Sequence, residues 1–180
     1  KVTDVFAPVV TEDYRIDVLS PTNEILEILE KKFKEYIEEH GLQDEPDTDT
    51  EVSFAHVLAD SKKTLDELSL SVIRGKTSFM NSTSIAFLLR AEGKCILLLG
   101  DADPIVVSKS LEKLVQSDST LGEPLHIDLM KVSHHGSKVN IRKELLDLID
   151  CQKYLFTTNG GIGGSYHPDR MTLAYLSILC

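Results

Sequence analysis

Residues 14–19 (Tyr-Arg-Ile-Asp-Val-Leu) alternate polar and apolar positions for two cycles, the period of a strand with one covered face. Ser20-Pro21 follows: a capping hydroxyl, then a residue whose missing N–H is harmless in a first helical turn. Beyond it Ile25, Leu26, Ile28, Leu29, Phe33, Tyr36 and Ile37 recur every three or four positions. They predict an amphipathic helix that Gly41 ends. Residues 43–51 are acidic and contain a proline. They lack the glycine and closing glutamate of a calcium loop and read as a solvated linker. A weaker helical pattern runs over residues 52–70, so residues 22–75 are predicted to form an acidic helical insertion.

The texture changes after Asn81. Residues 84–90 and 94–99 are two apolar, strand-like runs joined by Ala91-Glu92-Gly93, a hairpin pattern. Gly100-Asp101-Ala102-Asp103-Pro104 ends the second run, and residues 105–115 have helical spacing. Residues 127–133 predict a further strand that leads into His134-His135-Gly136. Residues 141–149 predict a short amphipathic helix, residues 153–158 another strand, and the stretch after Pro168 a last helix. Strands alternating with helices put the chain in the α/β class, as a single domain over residues 1–180 with the insertion inside it.

Composition narrows this further. A chain of 180 residues with 42% hydrophobic content has enough apolar side chain for a buried core, which excludes disorder as the main state. The longest apolar runs, such as residues 96–99, fall far short of the roughly 20 residues a bilayer needs, so no membrane segment is expected. The first ten residues lack the layout of an export signal, and the absence of an initiating Met suggests a start partway through a longer protein. Net charge is −10, of which −9 belongs to residues 23–69. Elsewhere the charges nearly balance, so a polyanionic substrate is not repelled, yet no basic run advertises nucleic-acid binding. The three cysteines, Cys95, Cys151 and Cys180, are odd in number and without CxxC spacing, which points to a reducing compartment, the cytoplasm by default.

Candidate chemistry sits in three loops, each behind a predicted strand, where layered α/β proteins gather functional residues. Asp101 leaves a buried run. Such a carboxylate is either a turn or helix-cap residue or is bound to something positive, and both readings stay open. His134 and His135 follow the next strand, and neutral imidazole is a common ligand of zinc, iron and manganese. On an extended segment neighbouring side chains point opposite ways, so one imidazole would enter a coordination sphere while the other met substrate or served as an acid. Residues 159–169 (Asn-Gly-Gly-Ile-Gly-Gly-Ser-Tyr-His-Pro-Asp) match neither a phosphate loop nor a dinucleotide fingerprint. They read better as a flexible loop delivering His167, with nucleotide binding as a weaker idea. His40, His56 and His126 read as structural.

Taken in order, residues 81–89 (Asn-Ser-Thr-Ser-Ile-Ala-Phe-Leu-Leu), 97–101 (Leu-Leu-Leu-Gly-Asp), 128–137 (Asp-Leu-Met-Lys-Val-Ser-His-His-Gly-Ser) and His167-Pro168 resemble the metallo-β-lactamase superfamily. Within it, the hydrolase domain of the DNA-uptake competence proteins is the most similar branch. The resemblance covers residues 77–175 and extends to residues 14–21. It implies an αββα sandwich, of which this chain resembles the C-terminal half with a helical insertion. It also implies a metal-dependent hydrolase acting on a phosphodiester or nucleic acid, with two divalent metal ions, zinc before manganese. Asp101 resembles the carboxylate that bridges the metals and His134 the last histidine ligand. His135 and His167 would line the site and bind or protonate substrate.

One departure stands out. The family builds most of its site on an early His-x-His-x-Asp-His motif, and none of the six histidines here stands in that pattern. Two ligands remain where a catalytic zinc takes three and keeps a position open. On these residues alone no tight metal binding and little activity are expected. The alternative is a non-catalytic metallo-β-lactamase-like module that binds a protein partner through the insertion. A half sandwich also predicts a homodimer or aggregate through the uncovered face.

Overall fold

The computed structural model describes residues 7–40, 62–73, 75–160 and 166–178. Among them a six-stranded sheet runs in the order β1 (Val9–Val10), β2 (Tyr14–Ser20), β3 (Ala86–Ala91), β4 (Lys94–Leu98), β6 (Leu129–Lys131), β8 (Tyr154–Leu155). Neighbours from β1 to β4 are antiparallel, whereas β4, β6 and β8 are parallel. A separate parallel pair joins β5 (Leu125–Ile127) to β7 (Ile149–Cys151). The helices are α1 (Asn23–His40), α2 (Leu65–Ser69), α3 (Phe79–Ser82), α4 (Pro104–Ser117), α5 (Lys143–Leu146) and α6 (Arg170–Ile178). The class is α/β with a mixed sheet.

The sheet has two different faces. On one, Asp17, Leu88, Leu97 and Met130 lie side by side across β2, β3, β4 and β6 and are all buried. Helix α4 packs against β2 on this side, and its Val107 and Leu111 join Leu19, Leu99 and Val132 in the core. It forms where the sequence predicts because Asp103 caps it, its carboxylate accepting the Ile105 N–H at 2.8 Å, with Pro104 as the first helical residue. On the other face two rows cross the strands: Val9, Ile16, Leu89, Ile96, Leu129, and Val18, Phe87, Leu98, Lys131, Leu155. Nine of these ten are apolar, yet none is fully buried.

Several expectations need correction. Residues 127–133 are not one strand. The chain breaks at Asp128, whose carboxylate turns aside to accept the Cys95 N–H at 2.9 Å and the Lys94 ammonium at 2.8 Å, so β5 and β6 join different sheets. The predicted helix over residues 141–149 shrinks to α5, because Ile149 is already paired with Leu125 in β7. The strand over residues 153–158 is only β8. His126, placed before a strand, lies within β5. Helix α1 forms as predicted, but its apolar stripe is poorly covered, with Ile28 48% and Phe33 56% exposed. The ammonium of Lys32 sits 4.1 Å from the Phe79 ring centre, tying α1 to α3.

Within residues 22–75 the stretch 41–61 lies outside the described residues, and with it Gly41, the linker over residues 43–51 and His56. The end of the weak helical pattern becomes α2, opened by a capping box between Thr64 and Glu67. It packs on α6 through Leu68, Met171 and Ala174, and the Tyr175 hydroxyl donates to the Ser71 carbonyl at 2.6 Å. Among the described residues no helix is long and apolar enough to cross a membrane.

Candidate functional site

Because β4, β6 and β8 are parallel neighbours, the loops that follow them emerge at one edge of the sheet. That edge carries Gly100-Asp101, Ser133 to Ser137, and the segment returning through His167. Crevices beyond the carboxyl ends of parallel strands are where open α/β sheets place their ligands.

Gly100 makes the first loop possible. Its φ is +52°, and a Cβ there would lie 2.5 Å from the Ser84 hydroxyl and 2.8 Å from the Ile85 carbonyl. The bare backbone lets that hydroxyl accept the Asp101 N–H at 3.0 Å. The helix-cap role that competed for Asp101 belongs to Asp103, and the Asp101 carboxylate, 38% exposed, stands 3.9 Å from the ammonium of Lys131. Lys131 donates to the Gly100 carbonyl at 2.9 Å. Burial pushes its pKa down, with Asp101 pulling the other way.

The histidine pair does not sit on an extended segment. Residues Ser133–Gly136 form a tight 3₁₀-like turn in which His134 (φ 45°) and His135 (φ 55°) are both left-handed. Two successive non-glycine residues in that region cost of order 1–3 kcal/mol each, and strain of this kind gathers at functional sites. The turn closes on both sides. The His134 N–H reaches across to the Gly100 carbonyl at 3.0 Å, and the Ser133 hydroxyl reaches the Ala102 carbonyl at 3.1 Å. The expected opposite pointing of the two rings is therefore replaced by an edge arrangement with centres 5.9 Å apart.

The His134 ring is held on its Nδ1 side. That nitrogen lies 3.2 Å from Oδ1 of Asn140 and 3.2 Å from Nδ2 of Asn81. Asn140 is wholly buried, and its Nδ2 donates to the carbonyls of Asp101 (3.0 Å) and Ala102 (3.2 Å). His135 is exposed, and its Nδ1 faces the carbonyl and, at 3.3 Å, the hydroxyl of Thr157. Both imidazoles thus have Nδ1 engaged by protein, the arrangement that orients a ligating histidine.

His167 is brought against His134, ring centres 5.3 Å apart at 63°. It is buried, and its Nδ1 faces the Asp169 carboxylate at 3.4 Å without closing a hydrogen bond. Burial pushes Asp169 up, but His167 and the Lys138 N–H, 2.8 Å away, outweigh it and hold the carboxyl below its usual range. Of the expected delivery loop, residues 161–165 lie outside the described residues.

All four predicted residues are thus found at one edge: Asp101 and His134 linked through Gly100 and Asn140, with His135 and His167 flanking His134. Sequence reasoning missed Asn140, Lys131 and Asp169. Asp169 lay inside the glycine-rich stretch already singled out, and Asn81 opened one of the matching motifs, but nothing in the sequence marked Asn140. Among the described residues no three His, Cys, Asp or Glu side chains are grouped so as to hold a metal ion, so they do not complete such a site by themselves. A cleft of about 510 Å³ opens at the opposite end of the sheet, around the β3–β4 turn. Its cations Arg15, Arg90 and Lys94 are spent on Asp17, Asp118 and Asp128.

No family model, curated protein or solved structure matches the chain.

Proposed function

We propose that this chain is the C-terminal half of a metallo-β-lactamase-like sandwich and that its strand-end edge is part of a metal-dependent phosphodiester hydrolase site. The convergence of Asp101, His134, His135 and His167 behind three adjacent parallel strands carries the reading. The apolar, incompletely buried second face of the sheet supports it, since a complementary half would cover such a face. Asp101 and His134 are the metal ligands. The remaining ligands come from outside the described residues, because a catalytic zinc takes three from protein. Two divalent ions, zinc before manganese, would there supply an activated water and neutralise developing phosphate charge. This chain's own residues then divide the remaining work. His135, exposed, meets the substrate, and His167, backed by Asp169, holds the proton for the leaving group. The three cysteines, odd in number and without CxxC spacing, suit a reducing compartment, the cytoplasm.

A second reading is favoured by the missing early histidine motif and by the exposed apolar residues Ile28 and Phe33 on α1. It makes the chain a non-catalytic module whose acidic helical segment binds a protein partner.

Metal content and bis-p-nitrophenyl phosphate hydrolysis separate the two. Both are measured for this chain and for the longer product of its reading frame, each with and without Asp101→Ala. Metal and turnover in the longer protein, lost on substitution, are expected for the hydrolase. No metal in either sinks it and leaves the module.

A further inference from the structure

Nδ1 of His134 lies within hydrogen-bond distance of two carboxamides that make opposite demands. Asn140 presents Oδ1, which requires a proton on Nδ1. Asn81 presents Nδ2, which requires a lone pair there. The two contacts fix opposite tautomers and cannot both be donor–acceptor pairs.

Burial decides between them. Asn140 is 0% exposed and spends both amide hydrogens on the carbonyls of Asp101 and Ala102. Turning its amide over would set an oxygen against two carbonyl oxygens, removing the donor from the Asp101 carbonyl and leaving the Ala102 carbonyl to the Ser133 hydroxyl alone. Asn81 is only half-buried, at the end of α3, and an amide reversed end for end keeps its shape, so its oxygen can share the same proton at little cost.

We propose that Asn140 is the positioning residue of His134, locking it as the Nδ1–H tautomer and leaving Nε2 as the unprotonated nitrogen. This deepens the site reading above. The same carboxamide holds the Asp101 loop, so the carboxylate and the imidazole are set in one frame. Nε2 then takes a metal cation or an N–H or O–H donor, and it rejects a group that brings only a lone pair.

The test is the imidazole ¹⁵N spectrum of the metal-free, ¹⁵N-labelled chain at a pH where histidines are neutral, with the His134 signals assigned by their loss in His134→Gln. The expected result is a single tautomer with Nδ1 protonated and Nε2 bare. A protonated Nε2 overturns the proposal. Asn140→Ala is expected to lose the single tautomer and move toward Nε2–H, while Asn81→Ala keeps it. Should Asn140→Ala fail to fold, the wild-type and Asn81→Ala spectra still decide, because a tautomer that changes on Asn81→Ala overturns the assignment. The spectrum needs no metal or turnover. A bare Nε2 alongside a failed hydrolysis assay supports this inference and removes only the hydrolase reading.

Discussion

At Gly136 one added methyl group would be felt directly. Its φ is +95°, and a Cβ would lie 2.6 Å from Cβ of Pro168 and 2.9 Å from Cε1 of Phe156. The strain and the clash act together, so Gly136→Ala is expected to cost about 2 kcal/mol or more in urea unfolding. The displaced Pro168 carries His167 with it, so the His167 ring signals should shift in the same variant. Asp118 offers a residue-scale test of electrostatics. The Thr120 hydroxyl and then Arg90 hold its pKa at about 2, below its usual 3.8. A depressed carboxylate stabilises the fold above its unfolded pKa, and that contribution fades as pH falls through the folded value. Wild type should therefore melt above Asp118→Asn at pH 5, with the gap closing between about pH 4 and pH 2. A gap that stays constant over that window would contradict the assignment.

At the scale of elements, the β3–β4 hairpin turns on Glu92 (φ 51°) and Gly93 (φ 71°), both left-handed, as a tight two-residue turn requires. Glycine adopts this freely and glutamate does not, whereas asparagine does so readily. Glu92→Asn is expected to raise stability by about 0.5–1 kcal/mol in urea unfolding, with the hairpin register unchanged. This hairpin was legible in the sequence because its determinants are local: two apolar runs and the turn residues between them. The break at Asp128 was not, because it depends on Lys94 and Cys95, more than thirty residues away. The site divides in the same way. Asp101 and His134 were visible as polar groups leaving apolar runs, and His167 as the histidine at the end of a glycine-rich stretch. The left-handed turn at His134-His135 depends on the Gly100 and Ala102 carbonyls across the sheet edge, and Asn140 depends on those of Asp101 and Ala102. Periodicity carries no trace of such long-range contacts.

At the scale of the molecule, the sheet has one face closed under α4 and another whose apolar rows are only partly covered, exposed at the edges (Val9 41%, Leu155 44%) and half-buried between them. A contiguous apolar surface of this kind costs free energy in water and is relieved by association. The net charge of −10 opposes association over long range, but salt screens it within a Debye length of about 10 Å at 0.1 M. The isolated chain is therefore expected to self-associate, and to do so more strongly as salt rises, the reverse of an assembly held by ion pairs. Leu98 is the position to change. It lies between Phe87 and Lys131 on the open face and is only partly buried, so a longer polar side chain there can reach water. Sedimentation velocity on wild type and Leu98→Lys, at low and moderate salt, checks this. The wild type should sediment as a dimer or larger species and the variant as a monomer with a similar melting temperature. A wild-type monomer under both conditions would mean that the face is tolerated by water. The half-sandwich reading would then lose the support it draws from that surface and rest on the strand-end residues alone.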